Sequence, residues 1–308
     1  MKWNKSGKIF EPDGSLPWWK SHCMAPTAVS IDSDTIRVFM GCWDEKGISR
    51  IGFIDVDSKD PKKIRHVCDR PIVDLGEPGT FDDNGVFPGH AHFINGKVHL
   101  FFTGFQLQDK IRFTNFGGLA VSTDDRFLNY RKVGRVPILD RSEVGTCVRS
   151  GQSCILENGK YRTWYSAGSK WLNVGGKSRQ TYDAYYCESD DITNFPRTDR
   201  LCLARDESVE HGLGRPQVLR TKDGVYRMLY TRRILDMHYT IGYSTSRDGL
   251  NWDRKDDSIG ISHSKEGWDS EMVYFPSVVE TQDKTYLFYC GNGFGATGLG
   301  FAVLDSWD

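Results

Sequence analysis

Acidic side chains recur where irregular segments of this chain lead into apolar runs. Carboxylates held in different surroundings have separated pKa values, so that one can donate a proton while another stays ionised. This pattern indicates general acid–base chemistry, for which Asp83 and Glu271 are the leading candidates. The reserve candidates are Asp82, Glu143 and Glu210. For Asp82 and Asp83, the alternative is a turn in "DDNG" whose side chains accept hydrogen bonds from local backbone N–H groups.

Cationic and polar side chains stand near the same points. Guanidinium groups bind oxyanions through paired hydrogen bonds, so Arg149 and Arg215 predict an anionic group such as a phosphate, a sugar nucleotide or a carboxylated sugar. The other candidate contacts for a bound molecule are His22, His90, His211, Arg232, Trp268, Asp269 and Asn292. "GHAH" places His90 and His92 on one strand face. Hydrogen-bonded histidines are favoured over metal ligands there, and neither a metal nor another cofactor is predicted.

A fivefold repeat supplies the elements that must position these side chains. Each copy has an apolar run, a polar turn and a second apolar and aromatic run that ends in small residues. The copies occupy residues 25–41, 87–104, 149–168, 215–232 and 275–291. Their equivalent aromatic positions are Phe39, Phe102, Tyr165, Tyr230 and Tyr289. Successive positions lie 63, 63, 65 and 59 residues apart, a regularity that indicates repeated structural units.

Turn chemistry within the copies predicts antiparallel hairpins. Asn-Gly at 95–96 and 158–159 and Asp-Gly at 223–224 lie between alternating runs, and these pairs match the twist of flanking strands. A third strand follows in most copies, for example "YTIGYSTS" at 239–246. Three to four strands over about 60 residues make one propeller blade, so we predict an all-β, five-bladed β-propeller in a single domain, 1–308. We expect "GKIF" near the start to add the outer strand of the last blade.

The predicted propeller brings the candidate residues together. The innermost strands of a propeller line its central channel, so the segments that lead into these strands meet at one pocket. Equivalent points in the five lead-in segments are Pro26, Pro88, Gly151, Pro216 and Pro276. Four of the five segments carry carboxylates, which we therefore expect to face a common axis. The first segment, "SHCMAP", carries His22 and no acid.

Composition excludes several other classes of protein. Forty Lys and Arg against 41 Asp and Glu give a formal net charge of −1, so neither nucleic acid nor an anionic membrane is expected as the main partner. No stretch approaches the roughly 18 apolar residues of a membrane span, and the start has no apolar segment typical of a secretion signal. We expect a cytoplasmic protein whose eight scattered cysteines are reduced thiols. The oligomeric state stays open.

At this level the chain resembles the arabinanase/xylosidase, invertase and mannoside-phosphorylase families of five-bladed propellers. The resemblance rests on the repeat pattern, on the turn "YSTSRDGLNWDR" and on acids in the lead-in segments. In more detail, "KSGKIFEPDG", "FDDNGVFPGH", "GWDSEMVYFP" and "YCGNGFGATGLG" are similar to small glycosyl-hydrolase-related propeller proteins associated with bacterial surface-polysaccharide synthesis. The resemblance implies a carbohydrate or an activated sugar as substrate.

The chain departs from those families at the first blade. The arabinanase-type families place a catalytic Asp there, and the invertase type carries Asn-Asp-Pro-Asn, whereas this chain has "HCMAP". Asp82 or Asp83 and Glu143 match the family's supporting Asp and acid Glu. The usual base or nucleophile is therefore missing or has moved to Asp269 or Glu271.

Three functions follow as hypotheses. The first is a glycoside hydrolase or related enzyme that cleaves or transfers a glycosyl unit between two carboxylates. The second is a phosphorylase or a transferase-like enzyme that uses an anionic sugar, which the arginine pair and the missing first-blade acid favour. The third is a sugar-binding propeller without catalysis.

Overall fold

A computed structural model describes residues 1–307, so residue 308 of the predicted domain 1–308 lies outside the described part. The described chain is all-β, as predicted, apart from a 3-10 turn at Asp256–Ser258 and a short helical turn, α1, at Asn292–Gly295. Its strands are β1 (Lys2–Phe10), β2 (Ser21–Ser30), β3 (Thr35–Trp43), β4 (Ser49–Asp57), β5 (Ile64–Val67), β6 (Val86–Ile94), β7 (Lys97–Leu107), β8 (Phe113–Ser122), β9 (Tyr130–Lys132), β10 (Val148–Glu157), β11 (Lys160–Val174), β12 (Lys177–Ser189), β13 (Arg200–Leu203), β14 (Glu210–Arg220), β15 (Tyr226–Ile234), β16 (Thr240–Ser246), β17 (Asp253–Arg254), β18 (Tyr274–Glu280), β19 (Thr285–Cys290) and β20 (Leu299–Ser306). None of the helical segments in this part is long and apolar enough to cross a bilayer.

Hydrogen bonding arranges the strands in five antiparallel units of four. Units one to four are consecutive along the sequence: β2–β5, β6–β9, β10–β13 and β14–β17. Unit five combines β18–β20 with β1, which contains "GKIF" and pairs with β20 as expected from the sequence. Short parallel contacts join units two, three and four into one 12-stranded sheet, whereas units one and five are separate four-stranded sheets. The radial, five-bladed arrangement itself stays a prediction.

Local sequence explains the hairpins and the core. Both central residues of the β6–β7 and β10–β11 turns, Asn95–Gly96 and Asn158–Gly159, have positive φ, as a type I′ turn requires. The five aromatic positions of the repeat lie in the second strand of each unit and are at most 1% exposed. They pack in hydrophobic clusters between the sheets, so the repeat in the sequence marks equivalent core positions.

The first strands of the five units surround one buried arginine. Contacts run in the cyclic order β2, β6, β10, β14, β18 and back to β2. Arg215 of β14 donates hydrogen bonds to the carbonyl oxygens of Pro26 (2.9 Å), Gly89 (2.8 Å) and Pro276 (3.2 Å). One side chain of unit four thus links units one, two and five, and its backbone φ of 50° is the left-handed conformation that this position requires.

Candidate functional site

A cavity of about 270 Å³ lies where the five lead-in segments meet. Each unit contributes a lining residue from its first strand or the segment before it: Met24, Phe87, Ser150, Arg215 and Phe275. The sequence analysis predicted this convergence. The cavity lining, however, differs in chemistry from the predicted acidic pocket.

The ionisable lining of the cavity is cationic. Four arginines line it: Arg112, Arg179, Arg215 and Arg233. Over residues 1–307, no Asp or Glu side chain lines this cavity and none forms an ion pair with these four arginines. The cavity therefore has positive charge without an internal counter-ion, and an anionic ligand would supply one.

Arg179 and Arg233 are the arginines best placed to meet a ligand. Arg179 comes from β12 and Arg233 from β15, so units three and four both contribute. The guanidinium carbon of Arg233 lies 5.8 Å from the ring centroid of Tyr182 and 5.4 Å from that of Phe275. The Nε atoms of Arg179 and Arg233 are buried and lack a hydrogen-bond partner in the described chain. A buried donor without a partner destabilises the free protein, and a bound oxyanion would relieve this.

Other lining groups present further unpaired polar atoms. They are the indole Nε1 of Trp43, Nδ2 of Asn115 and Oε1 of Gln180. The amide of Gln180 also donates to Oδ1 of Asn115 at 3.1 Å, which fixes the two side chains against each other. Donors and an acceptor beside an arginine cluster suit a ligand with hydroxyl groups as well as a negative charge.

Five aromatic rings form a row that we call the aromatic wall; the first four line the cavity, and the fifth packs against them outside the lining. In order they are Phe275, Phe87, Phe105, Phe113 and Trp171. Successive ring centroids lie 6.1, 5.3, 5.1 and 5.3 Å apart. Phe105 and Phe113 belong to the β7–β8 hairpin and Trp171 to the β11–β12 hairpin, so these long hairpins extend the wall outward.

Burial shifts the pKa values of two groups next to the arginines. It raises the pKa of the Tyr182 phenol to about 12, so this lining residue is a protonated donor at neutral pH. Burial, together with the charge of Arg233, lowers the pKa of His211 to about 4. His211 is therefore neutral, with one ring nitrogen 2.9 Å from the Tyr239 hydroxyl and the other 3.1 Å from the Gln180 carbonyl.

The aspartates of unit two do not line the cavity. Asp82 is 2% exposed, forms an ion pair with Lys132 at 2.5 Å and accepts a hydrogen bond from the Thr80 hydroxyl. Asp83 accepts the Gly79 N–H at 2.8 Å, which is the turn-forming alternative for "DDNG". The structure thus uses both side chains to shape the lead-in segment, because the backbone and Lys132 supply their partners.

Glu210 of unit four is fully buried in a network of charges. It pairs with Arg232 at 2.5 Å and with Arg254, and it accepts the Asp206 N–H at 2.8 Å. Arg232 is 3.2 Å from Asp256 as well. Glu210 and Arg232 therefore pair with each other, and neither side chain is among the cavity lining.

The candidates of unit five surround a turn beside the cavity. Asp269 is 1% exposed and bonds to Lys5 (2.7 Å) and the Tyr289 hydroxyl (3.0 Å), and Trp268 stacks on the Tyr289 ring. Glu271 is exposed, and its backbone N–H donates to the Asn292 side chain at 2.8 Å. Asn292 therefore fixes the turn, and none of these four side chains is among the cavity lining.

The candidates of unit three also lie elsewhere. Glu143 is exposed on the surface. Arg149 is fully buried, with an ion pair to Asp199 at 2.9 Å and a hydrogen bond to the Asp140 carbonyl at 3.0 Å. Arg149 and Arg215 thus do not form a joint anion site, because Arg149 points between strands of its own unit.

Two of the predicted histidines lie at the edge of the site. His22 stacks on Trp43, a lining residue, with ring centroids 3.8 Å apart, and burial lowers its pKa. His90 is buried below Arg215, and its Nδ1 is 2.6 Å from Nε2 of His92. Burial lowers the pKa of His90 well below its usual range, so the two histidines form a neutral hydrogen-bonded pair.

Sequence reasoning missed Arg112, Arg179, Tyr182 and Arg233 as lining residues. Arg233 could have been predicted, because side chains alternate along a strand and Arg232 and Arg233 therefore point to opposite faces. Arg232 shares the face of the core residue Tyr230, whereas Arg233 shares the face of Thr231. Arg112 and Arg179 lie in hairpin extensions whose position over the cavity the repeat did not indicate.

Comparison with known proteins gives one family and one fold. No protein-family model matches the sequence. It is 31% identical over 306 residues to "Uncharacterized protein Rv1502" of Mycobacterium tuberculosis, covering 99% of this chain and 100% of that protein. The chain therefore belongs to the Rv1502 family. A second M. tuberculosis member, "Uncharacterized protein MT1551", matches over 306 residues with the same identity, so the matched region includes the sequence of all five units.

Solved structures of glycoside-hydrolase-like propeller proteins share this fold. A glycosyl hydrolase from Bacteroides ovatus has a TM-score of 0.73 at 16% identity, covering 99% of this chain and 94% of that protein. A structure described as "The GH130 family of mannoside phosphorylases contains glycoside hydrolases that target beta-1,2 mannosidic linkages in Candida mannan" has a TM-score of 0.69 at 17% identity, covering 99% and 94%. A thermostable family-43 glycoside hydrolase has a TM-score of 0.66 at 15% identity, covering 92% and 88%. Identities this low establish the fold, and activity must be argued from the cavity.

Proposed function

We propose that this chain is a five-bladed propeller protein that binds a phosphorylated or otherwise anionic carbohydrate in its central cavity. The cyclic contacts of β2, β6, β10, β14 and β18 support the radial arrangement. A carbohydrate ligand is supported by neighbours described as glycoside hydrolases and mannoside phosphorylases. The anionic group is supported by the cavity itself.

One observation carries the proposal: within residues 1–307, the cavity concentrates arginines and has no carboxylate in its lining. Arg112, Arg179, Arg215 and Arg233 line it without an acidic partner in this part of the chain, where buried Nε donors of Arg179 and Arg233 are also unpaired. A phosphate bound there would accept several charge-assisted hydrogen bonds, which are roughly twice as strong as those between neutral groups. The nearby polar atoms of Asn115 and Gln180 would meet sugar hydroxyls.

Within this proposal, glycosyl transfer to or from phosphate is favoured over ordinary hydrolysis. Hydrolysis between two carboxylates requires both of them to flank the anomeric carbon. The predicted acids have other partners or lie on the surface, and the described cavity offers none in their place. In phosphorolysis a phosphate oxygen attacks the anomeric carbon while the glycosidic C–O bond breaks, and the proton of the attacking hydrogen phosphate passes to the leaving oxygen; the Tyr182 hydroxyl, which lines the cavity, could relay that proton.

Binding measurements test the proposal directly. We expect inorganic phosphate and mannose 1-phosphate to bind to the wild type in calorimetry and to raise its melting temperature, and mannose to do so far less. Arg233→Met should weaken phosphate binding by about 10- to 100-fold, because it removes charge and donors from the cavity. The matched control is Arg135→Met, since Arg135 is exposed and paired with Glu77 on the surface. Equal binding of phosphate by both variants would contradict the proposal.

The reaction itself needs a separate experiment. Mannose 1-phosphate is incubated with a panel of acceptor sugars, and released phosphate is measured for the wild type, Arg233→Met and Tyr182→Phe. Phosphate release that both substitutions abolish supports transfer. Phosphate binding without turnover supports a sugar-binding propeller. Cleavage of a glycoside without phosphate, lost in Asp83→Asn, would support hydrolysis instead.

A further inference from the structure

The aromatic wall reaches the rim of the cavity beside an exposed leucine. Leu107, at the end of β7, lines the cavity and is 59% exposed. It lies in the same hairpin as the lining rings Phe105 and Phe113. An exposed leucine beside a row of lining rings makes an apolar surface that indicates a binding site.

Charge and apolar surface are arranged along one direction. The inner end of the wall is Phe275, whose ring centroid lies 5.4 Å from the guanidinium carbon of Arg233. The outermost ring that lines the cavity is Phe113, in the hairpin that carries Leu107. A ligand that follows the wall would place its anion beside Arg233 and an apolar group at the rim.

We infer that the wall is a subsite for an aliphatic chain carried by the anionic ligand. This inference rests on the proposed function, since the arginines hold the phosphate that positions the aliphatic group. Each methylene group removed from water contributes about 0.8 kcal/mol, so even a short chain along the wall would dominate the affinity. The substrate class is therefore an amphiphile: a phosphorylated sugar or a phosphate ester with an aliphatic group.

Features of the rim disfavour other occupants. A second copy of the protein would bring the exposed cations Arg112, Lys170 and Lys177 against their own equivalents. A polysaccharide stacks on flat ring faces, whereas three successive rings of the outer wall meet edge to face and Leu107 offers no flat surface. A nucleobase would leave its hydrogen-bonding edge against Leu107.

Matched phosphate monoesters test the inference by calorimetry. Methyl phosphate and hexyl phosphate carry the same charge and differ by five methylene groups. We expect hexyl phosphate, below its micelle concentration, to bind at least about tenfold more tightly, the equivalent of about 1.4 kcal/mol. Leu107→Ser and Phe113→Ser should reduce this ratio towards one, because they should weaken the binding of hexyl phosphate far more than that of methyl phosphate. Leu201→Ser, at an exposed leucine of β13, should leave the ratio unchanged.

The outcomes separate this inference from the proposed function. If methyl phosphate binds and the hexyl group adds nothing, the aliphatic subsite is wrong and the anion site stands. If uridine monophosphate binds more tightly than hexyl phosphate, the wall accommodates a base and the inference is overturned. If neither ester binds, the proposed function and the inference both fail. Leu107 is largely exposed, so its variant is expected to fold even if Phe113→Ser does not.

Discussion

Two regions of this protein treat buried charge in opposite ways. Within and between the units, buried carboxylates have cationic partners: Asp82 with Lys132, Asp269 with Lys5 and Glu210 with Arg232. In the central cavity, Arg179 and Arg233 have aromatic neighbours and unpaired Nε atoms, and within residues 1–307 no carboxylate pairs with them.

The difference separates charges that hold the fold from charges that await a ligand. An ion pair that is complete inside the protein fixes the position of two segments and gives a substrate nothing to bind. A buried cation without a partner weakens the free protein and is retained where a ligand completes it. By this criterion we propose that the paired acids of the lead-in segments are structural and that the arginines of the cavity bind the ligand.

The largest expected effect comes from breaking a complete pair. Glu210→Ala would remove the buried carboxylate that accepts hydrogen bonds from Arg232, Arg254 and the Asp206 N–H. Both arginines would keep Asp256 as their carboxylate partner. We expect a loss of roughly 3–5 kcal/mol in the free energy of unfolding, measured by urea denaturation, since each hydrogen bond to a charged group contributes roughly 1.5–3 kcal/mol. The control is Glu207→Ala, because Glu207 is 78% exposed in its pair with Arg205 and should contribute less than about 1 kcal/mol. Similar losses of unfolding free energy for both variants would contradict the structural role proposed for the buried pair.

Replacing an arginine that has no carboxylate partner should weaken ligand binding and leave stability nearly unchanged. We expect Arg233→Met to weaken the binding of inorganic phosphate by about 10- to 100-fold, since each hydrogen bond to a charged group contributes roughly 1.5–3 kcal/mol. Stability should stay within about 1 kcal/mol of the wild type, because among residues 1–307 no carboxylate loses its cation. A large loss of stability with unchanged binding would place Arg233 among the structural charges.

Acidification should lower the stability of the fold through His211, which contacts the lining residue Gln180. Its pKa falls from an ordinary 6.5 to about 4 in the folded protein, so below pH 6.5 the unfolded state binds a proton that the folded state does not. Stability is therefore lost as pH falls from 6.5 towards 4, by about 2 kcal/mol between pH 6.5 and 5. Denaturation curves of His211→Asn should show a shallower slope than the wild type. His238→Asn, at an exposed histidine, should keep the wild-type slope.

The smallest effect is expected at the residue that the sequence favoured most. Asp83→Asn keeps an oxygen that can accept the Gly79 N–H, so we expect a loss of less than about 1 kcal/mol and no change in phosphate binding. Calorimetry with inorganic phosphate and thermal denaturation of Asp83→Asn test these two expectations. A loss of turnover with intact binding would return Asp83 to the reaction and weaken the division between the two regions.

The fold was predictable because its signals are local and repeated. Asn-Gly turns, alternating runs and the spacing from Phe39 to Tyr289 all lie within or between short segments of sequence. The convergence of the lead-in segments on one cavity followed from this regularity. The strand of "GKIF" was predictable by the same repeat, because the last unit otherwise lacked an outer strand.

The direction of each side chain was not predictable in the same way. Lys132 lies 50 residues from Asp82, and Lys5 lies 264 residues from Asp269, so no local pattern reveals that these acids already have partners. Acids at equivalent points were therefore interpreted as a shared pocket, although each one bonds within its own surroundings. Only strand alternation at Arg232 and Arg233 carried information on direction.

The pairing of β1 with β20 has a consequence for how the protein is made. The partners Lys2 and Ser306 are 304 residues apart in the sequence, so β1 is synthesised long before the strand that pairs with it. During synthesis the β1 segment has an unpaired edge, open to other nascent polypeptides. Losing a few residues after Leu299 would leave that edge exposed permanently, and the expected phenotype is aggregation during expression and not a milder loss of activity.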